Sequence, residues 1–159
     1  SRKNLELYCD KVAGAVGCLS MDVFEIRTRD SRKYAKLLGR AFQLTNILRD
    51  IHEDSLIGRC YIPRELIRKY ININTNPKVL IEESKFKSVC KDLIDETERY
   101  YFLAGEISKK FDQTKLKAPK LMKAMYKEIF KKICSENWNM RKRVRLSKIE
   151  KIKIILKNI

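Results

Sequence analysis

The fold expected for this chain is all-α, and three observations support it. Only five of 159 residues are Gly and three are Pro, so the two commonest helix breakers are scarce. Apolar residues recur at three- and four-residue intervals over long stretches, the spacing of one helix face. A hydrophobic content of 44% over this length supplies enough apolar side chains for one sizeable core.

The elements follow in order. Leu5 to about Phe24 reads as one helix. Gly14 and Gly17 inside it each cost about 1 kcal/mol against Ala, which implies close approach by a neighbouring helix or a ligand. Tyr8, Val12 and Val16 share one face at i, i+4 spacing, with Gly17 beside it. Arg27 to Arg32 is a polar turn, and Asp30 or Ser31 suits the N-cap of a second helix from about Arg32 to His52. Ser55 to Pro63 is a loop in which Gly58 permits a turn that points Arg59 back toward that helix. Pro63 opens a short helix to about Tyr70, Ile71 to Pro77 is a loop, and a short helical turn follows Pro77.

A long helix is expected from about Lys85 to Phe111, with Val89, Leu93, Tyr100, Leu103, Ala104, Ile107 and Phe111 in the core. Tyr100-Tyr101-Phe102 reads as core in preference to a pocket wall. Pro119 suits the first turn of another helix, ending near Trp138, whose apolar face carries Leu121, Met122, Met125, Tyr126, Ile129, Phe130 and Ile133. Lys148 to Ile159 alternates Lys with Ile and Leu, so it either lies on an anionic membrane or packs its Ile face on the core; packing is the preferred reading. No internal repeat or low-complexity block interrupts residues 1–159, which read as a single domain.

The helix after the Arg27–Arg32 turn carries the candidate site. At 100° per residue with Asn46 at zero, Asp50 falls at about 40°, Gln43 at about 60°, Asp54 at about 80°, Gly39 at about 20° and Glu53 at about −20°. Leu37, Ala41, Leu44, Ile47, Leu48 and Ile51 cover the remaining circumference, as in a buried helix. A buried helix with an amide and carboxylates along one stripe must face something polar other than bulk water. No lysine occurs from Leu37 to Gly58 in a chain otherwise full of it, so the stripe reads as the lining of a cavity. Oxygen ligands at i, i+4 and i+8 suit Mg²⁺, which is commonly shared between protein carboxylates and substrate phosphates. Arg49 and Arg59 flank the stripe, where guanidinium forks can meet phosphate oxygens. The competing reading is a chance spacing with capping or salt-bridge roles. His52 lies at about −120° from the stripe and reads as incidental.

The formal charge of +16 fits nucleic acid, an anionic membrane, a polyanionic small substrate or a general lysine bias. Five scattered cysteines without C-x-x-C spacing read as reduced thiols of a cytoplasmic protein, with neither a disulfide frame nor a zinc site. No apolar run is long enough to span a bilayer, and no secretory h-region is expected at the N-terminus. The first residue is Ser, which points to an excised or incomplete piece.

Gln43-Leu-Thr-Asn-Ile-Leu-Arg-Asp50, then Glu53-Asp54, Gly58-Arg59 and Tyr61-Ile-Pro63, resembles the second acidic motif of the squalene/phytoene synthase family. Tyr8-Cys9 followed by Val12-Ala-Gly-Ala-Val-Gly17 is similar to that family's cavity-lining helix, and Tyr126 to Ile133 with Arg143 to Lys148 to its closing segment. The resemblance runs from about Leu5 to Leu156, looks closest to bacterial presqualene diphosphate synthases, and implies the C-terminal part of an isoprenoid-synthase-type bundle around a central cavity. The family's first acidic D-x-x-x-D motif is missing before Tyr8, so the preceding segment is expected to complete the site.

What the resemblance implies is head-to-head joining of two prenyl diphosphates, farnesyl in the first instance, with Mg²⁺ (Mn²⁺ as substitute) assisting diphosphate release. NADPH would be needed only if the reaction proceeds to squalene. Asn46, Asp50 and Asp54 would then be metal ligands, Arg49 with Asp50 and Asp54 the catalytic set, and Gln43 an orienting group. Arg49, Arg59, Arg143 and Tyr126 would contact diphosphate, while Tyr8, Val12, Val16 and Gly17 would form the chain-binding wall. The alternatives are condensation of geranylgeranyl diphosphate as in phytoene synthases, a truncated inactive relative, and, more remotely, a basic helical module binding nucleic acid or a membrane surface. For the enzyme, no nucleic-acid partner is expected, and peripheral membrane contact is.

Overall fold

The computed structural model describes residues 1–72, 76–135 and 143–158, and among them no strand occurs. The order is α1 (Arg2–Cys9), a π-helical turn (Asp10–Gly14), α2 (Ala15–Val23), α3 (Arg29–Leu56), α4 (Arg64–Tyr70), α5 (Pro77–Leu80), α6 (Phe86–Ser108), α7 (Lys117–Ser135) and α8 (Lys148–Asn158).

The first predicted helix is a continuous rod with a change of pitch inside it. At its centre the Ala15 N–H reaches the Asp10 carbonyl, five residues back, instead of four. Two contacts with α3 pin this turn. Arg40 holds the Asp10 carboxylate in a fork, Nε to Oδ1 at 2.6 Å and Nη2 to Oδ2 at 2.9 Å. Gly39 crosses the turn at backbone distance, so that a Cβ there would lie 2.8 Å from the Gly14 nitrogen and 2.9 Å from the Ala13 carbonyl carbon. Gly39, expected on the polar stripe, lies on that side of α3 with Gln43 and Asn46 and also serves the crossing of two helical segments.

α3 is longer than expected at both ends. Its N-cap is Thr28, not Asp30 or Ser31: Thr28 Oγ1 accepts from the Ser31 N–H at 3.0 Å, and Ser31 Oγ accepts from the Thr28 N–H at 2.9 Å. This reciprocal pair satisfies two helix-start donors at once. At the other end Gly58 takes φ 73°, the Gly58 N–H reaches the Ser55 carbonyl at 3.0 Å and the Arg59 N–H reaches the Asp54 carbonyl at 2.8 Å. These two bonds form a Schellman closure, which needs a left-handed residue that glycine supplies without strain.

Between these ends α3 is the axis of the molecule. It packs against α1, the π turn, α2, α5, α6 and α7. Ala41, Leu44, Ile47, Leu48 and Ile51 are buried, as their spacing requires. Thr45 is buried too; its hydroxyl donates to the Ala41 carbonyl at 2.7 Å and forms a second bond, 3.0 Å long, with the Tyr101 hydroxyl.

α6 supplies the facing wall through Val89, Leu93, Tyr100, Tyr101 and Ala104. The aromatic triplet divides: Tyr100 and Tyr101 are core, whereas Phe102 is 65% exposed. Of the other predicted core positions, Leu103 is exposed, and Ile107 and Phe111 are partly buried, Phe111 edge-on to Tyr34 at 5.8 Å beyond the end of α6. In α7 Phe130 and Ile133 are buried but Met122 is exposed; the expected end at Trp138 lies outside the described residues.

α8 departs furthest from expectation. Ser147 and Glu150 cap each other reciprocally, at 2.8 and 3.2 Å, and the helix leans on α7. None of its residues is buried; Ile154 and Ile155 are half-buried, while Ile149, Ile152 and Leu156 face solvent. The expected packing of an Ile face on the core is met only in part: Ile154 and Ile155 are half-buried where α8 leans on α7, and the other apolar positions stay outside.

Candidate active site

Four side chains of the polar stripe, Gln43, Asn46, Asp50 and Asp54, are half-buried on one side of α3. Gln43 and Asn46 also line a groove of about 300 Å³ whose other walls include Val12, Val16 and Gly17, with Phe42 and Tyr126 opposite. The Gln43–Asn46 end of the polar stripe and the apolar wall therefore meet in one concavity, whereas Asp54 and Arg59 line a separate small cavity with Tyr61 and Asp50 lines neither. Val16 is 60% exposed, because it faces this groove and not the core. Gly17 fits against α3 closely: a Cβ there would sit 3.0 Å from the Ala35 carbonyl oxygen. Tyr126 stacks on Phe42 with ring centres 4.2 Å apart.

Tyr8, expected on the same wall as Val12 and Val16, does not line the groove. The π turn between them alters the helical phase, so Tyr8 points to the polar end. There its ring stacks on Tyr61 at 5.3 Å and its hydroxyl accepts from Gln43 Nε2 at 3.5 Å. Burial, then Tyr61, pushes its phenol above the ordinary value. Gln43 Oε1 in turn accepts from Asn46 Nδ2 at 3.4 Å. Asn46 Oδ1 is buried and has no hydrogen-bond partner among the described residues. A buried acceptor left unpaired costs about 1–3 kcal/mol, so this amide is oriented for something else.

Asp50 is held between two arginines. Arg49 Nε and Nη2 each donate to it at 2.8 Å, while Arg143 donates from Nη2 at 3.4 Å and holds its Nε 3.0 Å away in an ion pair. Arg143 also lies 3.4 Å from Glu53. The hydrogen bond to Asp50 holds the Arg49 guanidinium further up than usual against the opposing effect of burial, with Tyr126 and Glu53 adding to the upward push. Asp54 is different: burial first, then the neighbouring Asp50, raises its carboxyl, and Arg59 only partly offsets this. Arg59, exposed, is brought beside Asp54 by the Schellman closure.

Among the described residues no three His, Cys, Asp or Glu side chains converge closely enough to hold a metal ion by themselves. The donor set here is two carboxylates and an amide, all oxygen, which fits a hard divalent cation that keeps part of its water and its anionic partner. The unpaired Asn46 oxygen and the raised Asp54 carboxyl agree with that fit, since a cation would relieve both. Asp50 would have to exchange an arginine contact to join them.

Sequence reasoning missed Arg40. It grips Asp10, reaches Glu6 at 3.4 Å and lies 5.6 Å over the Tyr100 ring, while the Tyr100 hydroxyl donates to Glu6 at 2.6 Å. The available signal was Glu6 and Asp10 at i, i+4 spacing, two acids on one helix face. His52 contributes its carbonyl, which accepts from Ser55 Oγ at 2.7 Å. All five cysteines carry free thiols, and burial pushes that of Cys9 up to about 12.

Comparison with known proteins bears on this geometry. The sequence model of one family, described as Squalene/phytoene synthase, matches residues 1–150. The presqualene diphosphate synthase of Zymomonas mobilis is 42% identical over 146 residues, 91% of this chain and 50% of that protein. Its counterpart from Rhodopseudomonas palustris is 39% identical over 153 residues, 96% of this chain and 55% of that protein. The phytoene synthase of Pseudescherichia vulneris is 39% identical over 94 residues, 59% of this chain. A crystal structure of a dehydrosqualene synthase in complex with ligand superposes with a TM-score of 0.82 at 27% identity, covering 99% of this chain and 56% of that one. The chain spans about half the length of the curated relatives it matches.

Proposed function

The chain belongs to the squalene/phytoene synthase family, and on that premise we propose that it forms the diphosphate-binding wall of a head-to-head prenyltransferase. The reaction is the joining of two prenyl diphosphates, farnesyl in the first instance, to presqualene diphosphate. The observation that carries this reading is the single groove in which Gln43 and Asn46 meet Val12, Val16 and Gly17. A prenyl diphosphate has the same division, a charged head and a long apolar tail.

Arg49, Arg59 and Arg143 would contact the departing diphosphate and stabilise the charge that develops on it. Gln43, tied to Tyr8 and Asn46, would orient that group or its waters. The apolar groove would hold the prenyl chain and keep water from the allylic cation. Asn46, Asp50 and Asp54 would hold Mg²⁺, which supplies Lewis-acid charge at the leaving oxygens. Tyr126, at the groove's rim on Phe42, is placed to contact substrate.

The presqualene reading is preferred to phytoene-type condensation because the presqualene diphosphate synthases match over 91% and 96% of this chain, against 59% for the phytoene synthase. Residues 1–159 act as one unit in this reading, organised on α3. No described helix is long and apolar enough to cross a membrane, and we place the enzyme in the cytoplasm.

Calorimetry with a non-hydrolysable farnesyl diphosphate analogue tests the site. Mg²⁺-dependent binding is expected, weakened at least about tenfold by Asp50→Asn, which removes the charge that a cation needs. In the full-length enzyme the same change should reduce turnover by roughly a hundredfold or more. Undiminished turnover in that variant would refute the assignment. A properly folded chain that binds no analogue, with an inactive full-length enzyme, would favour a relative that has lost catalysis.

A further inference from the structure

The apolar wall of the groove begins inside the π turn: Val12 and Ala13 belong to it, and Val16 and Gly17 follow closely. A turn closed by a bond five residues back holds one residue more than an α turn. That extra residue rotates every later side chain by about 100° relative to Tyr8. The phase of this one turn therefore decides which side chains face the groove. Such turns are rare and need support from outside the helix. Here two adjacent residues of α3 supply it. Gly39 meets the Gly14 backbone and fixes how closely the two segments approach. Arg40 takes the carboxylate of Asp10, the first residue of the turn, through two nitrogens at 2.6 and 2.9 Å. A planar fork of this kind fixes rotation as well as distance.

The fork is itself braced. Arg40 Nη1 lies 3.4 Å from Glu6 on α1, one turn before Asp10, and the guanidinium sits 5.6 Å over the Tyr100 ring of α6. The Tyr100 hydroxyl donates to Glu6 at 2.6 Å and lies 3.2 Å from Glu96. The Arg40 and Asp10 side chains are 21% and 19% exposed, so solvent screens the pair weakly. Lys36 also reaches Asp10, at 4.0 Å, but as an exposed point charge without a fork. Neither Arg40 nor Asp10 lines the groove, so the pair can act on a bound chain only through the turn. We propose that Arg40 is a positioning residue: its grip on Asp10 sets the rotation of the π turn and so the fit of the groove wall to the prenyl chain, an inference that rests on the prenyl diphosphate reading above. A contribution to stability alone would need only a cation at this place, whereas setting a rotation needs the fork.

Calorimetry on the full-length enzyme with Mg²⁺ separates these roles, with the farnesyl diphosphate analogue and inorganic pyrophosphate as probes. Pyrophosphate reports the head alone, so the ratio of the two affinities isolates what the chain contributes. Arg40→Lys keeps the charge and loses the fork; it should lower that ratio by about tenfold or more while pyrophosphate affinity stays within about twofold. Asp10→Asn should do the same. The double variant Asp10→Asn/Arg40→Lys should lose no more than either single change, since all three remove one contact. In turnover the loss should appear as a raised KM. An unchanged ratio in Arg40→Lys overturns the proposal, and so does an equal loss of both affinities, the result that a merely weakened fold would give. If circular dichroism shows that Arg40→Lys does not fold, Asp10→Asn carries the test. A parent enzyme that binds neither probe removes the prenyl diphosphate reading and this proposal with it. A parent that binds both, with the ratio unchanged in the variants, removes this proposal alone.

Discussion

α3 and α8 are both helices with apolar and polar residues mixed around the circumference, and they end in opposite situations. α3 is enclosed by six neighbouring elements, so its apolar residues are buried and the Gln43–Asn46 end of its polar stripe opens into a groove. α8 leans on α7, and part of its apolar surface stays outside. The difference lies in what surrounds each helix more than in composition. An enclosed helix has little choice of orientation, so each polar residue on it demands a reason; a peripheral one can expose apolar side chains without destabilising the fold.

The sharpest test of this contrast is a matched pair of truncations. Leu44→Ala in α3 should cost about 2–5 kcal/mol in chemical denaturation, the range for emptying a packed position. Leu156→Ala in α8 should stay within about 0.5 kcal/mol. Equal costs would break the comparison. Gly39→Ala comes next: the new methyl would press on the Gly14 backbone, not on a flexible side chain, at an expected cost of about 1–3 kcal/mol in the same assay. Thr28→Ala, which removes half of the reciprocal cap of α3, should cost about 1 kcal/mol.

Acid provides the mildest test, on α8. Hydrogen bonds from Lys132 and from the Ser147 backbone hold the Glu150 carboxyl down to about 2 from an ordinary 4.5. A carboxyl lowered in the folded state contributes fully above its unfolded value and loses that contribution as pH falls toward the folded one. Hydrogen exchange of α8 amides should therefore accelerate between about pH 4.5 and pH 2 relative to α3. Lys132→Met should shift the onset of that acceleration to higher pH. Identical profiles in parent and variant would remove Glu150 as the cause.

Much of the fold was legible because period and punctuation are local. The helices of the chain announce themselves by three- and four-residue spacing, Pro119 falls in the first turn of its helix as expected, and Gly58 makes the expected turn although α3 runs on to Leu56. The polar stripe was legible for a different reason, polar side chains without lysine inside an apolar helix. What escaped depended on partners distant in sequence. The π turn rests on Arg40 and Gly39, some thirty residues on, and without it Tyr8 would share a face with Val12. Thr28 was hidden as a cap by the more polar Asp30 and Ser31 that follow it. Arg143 could be tied to the site only through resemblance, since nothing local links it to Asp50. For α8 the sequence allowed both an outward and an inward apolar face, because periodicity gives a helix a face but not a neighbour.

The double arginine grip on Asp50 also sets an order of assembly. Arg49 is next to Asp50 in the chain, whereas Arg143 is 93 residues away. On a ribosome the first guanidinium emerges with the carboxylate, and the second only after α4 to α7 have been made. Asp50 thus gains its first guanidinium early and its second last, by a contact that closes a loop of 93 residues. A nascent chain stalled before residue 143 would expose an electrostatically unfinished pocket, and the pairing of Arg143 with Asp50 marks the moment at which synthesis of this site is complete.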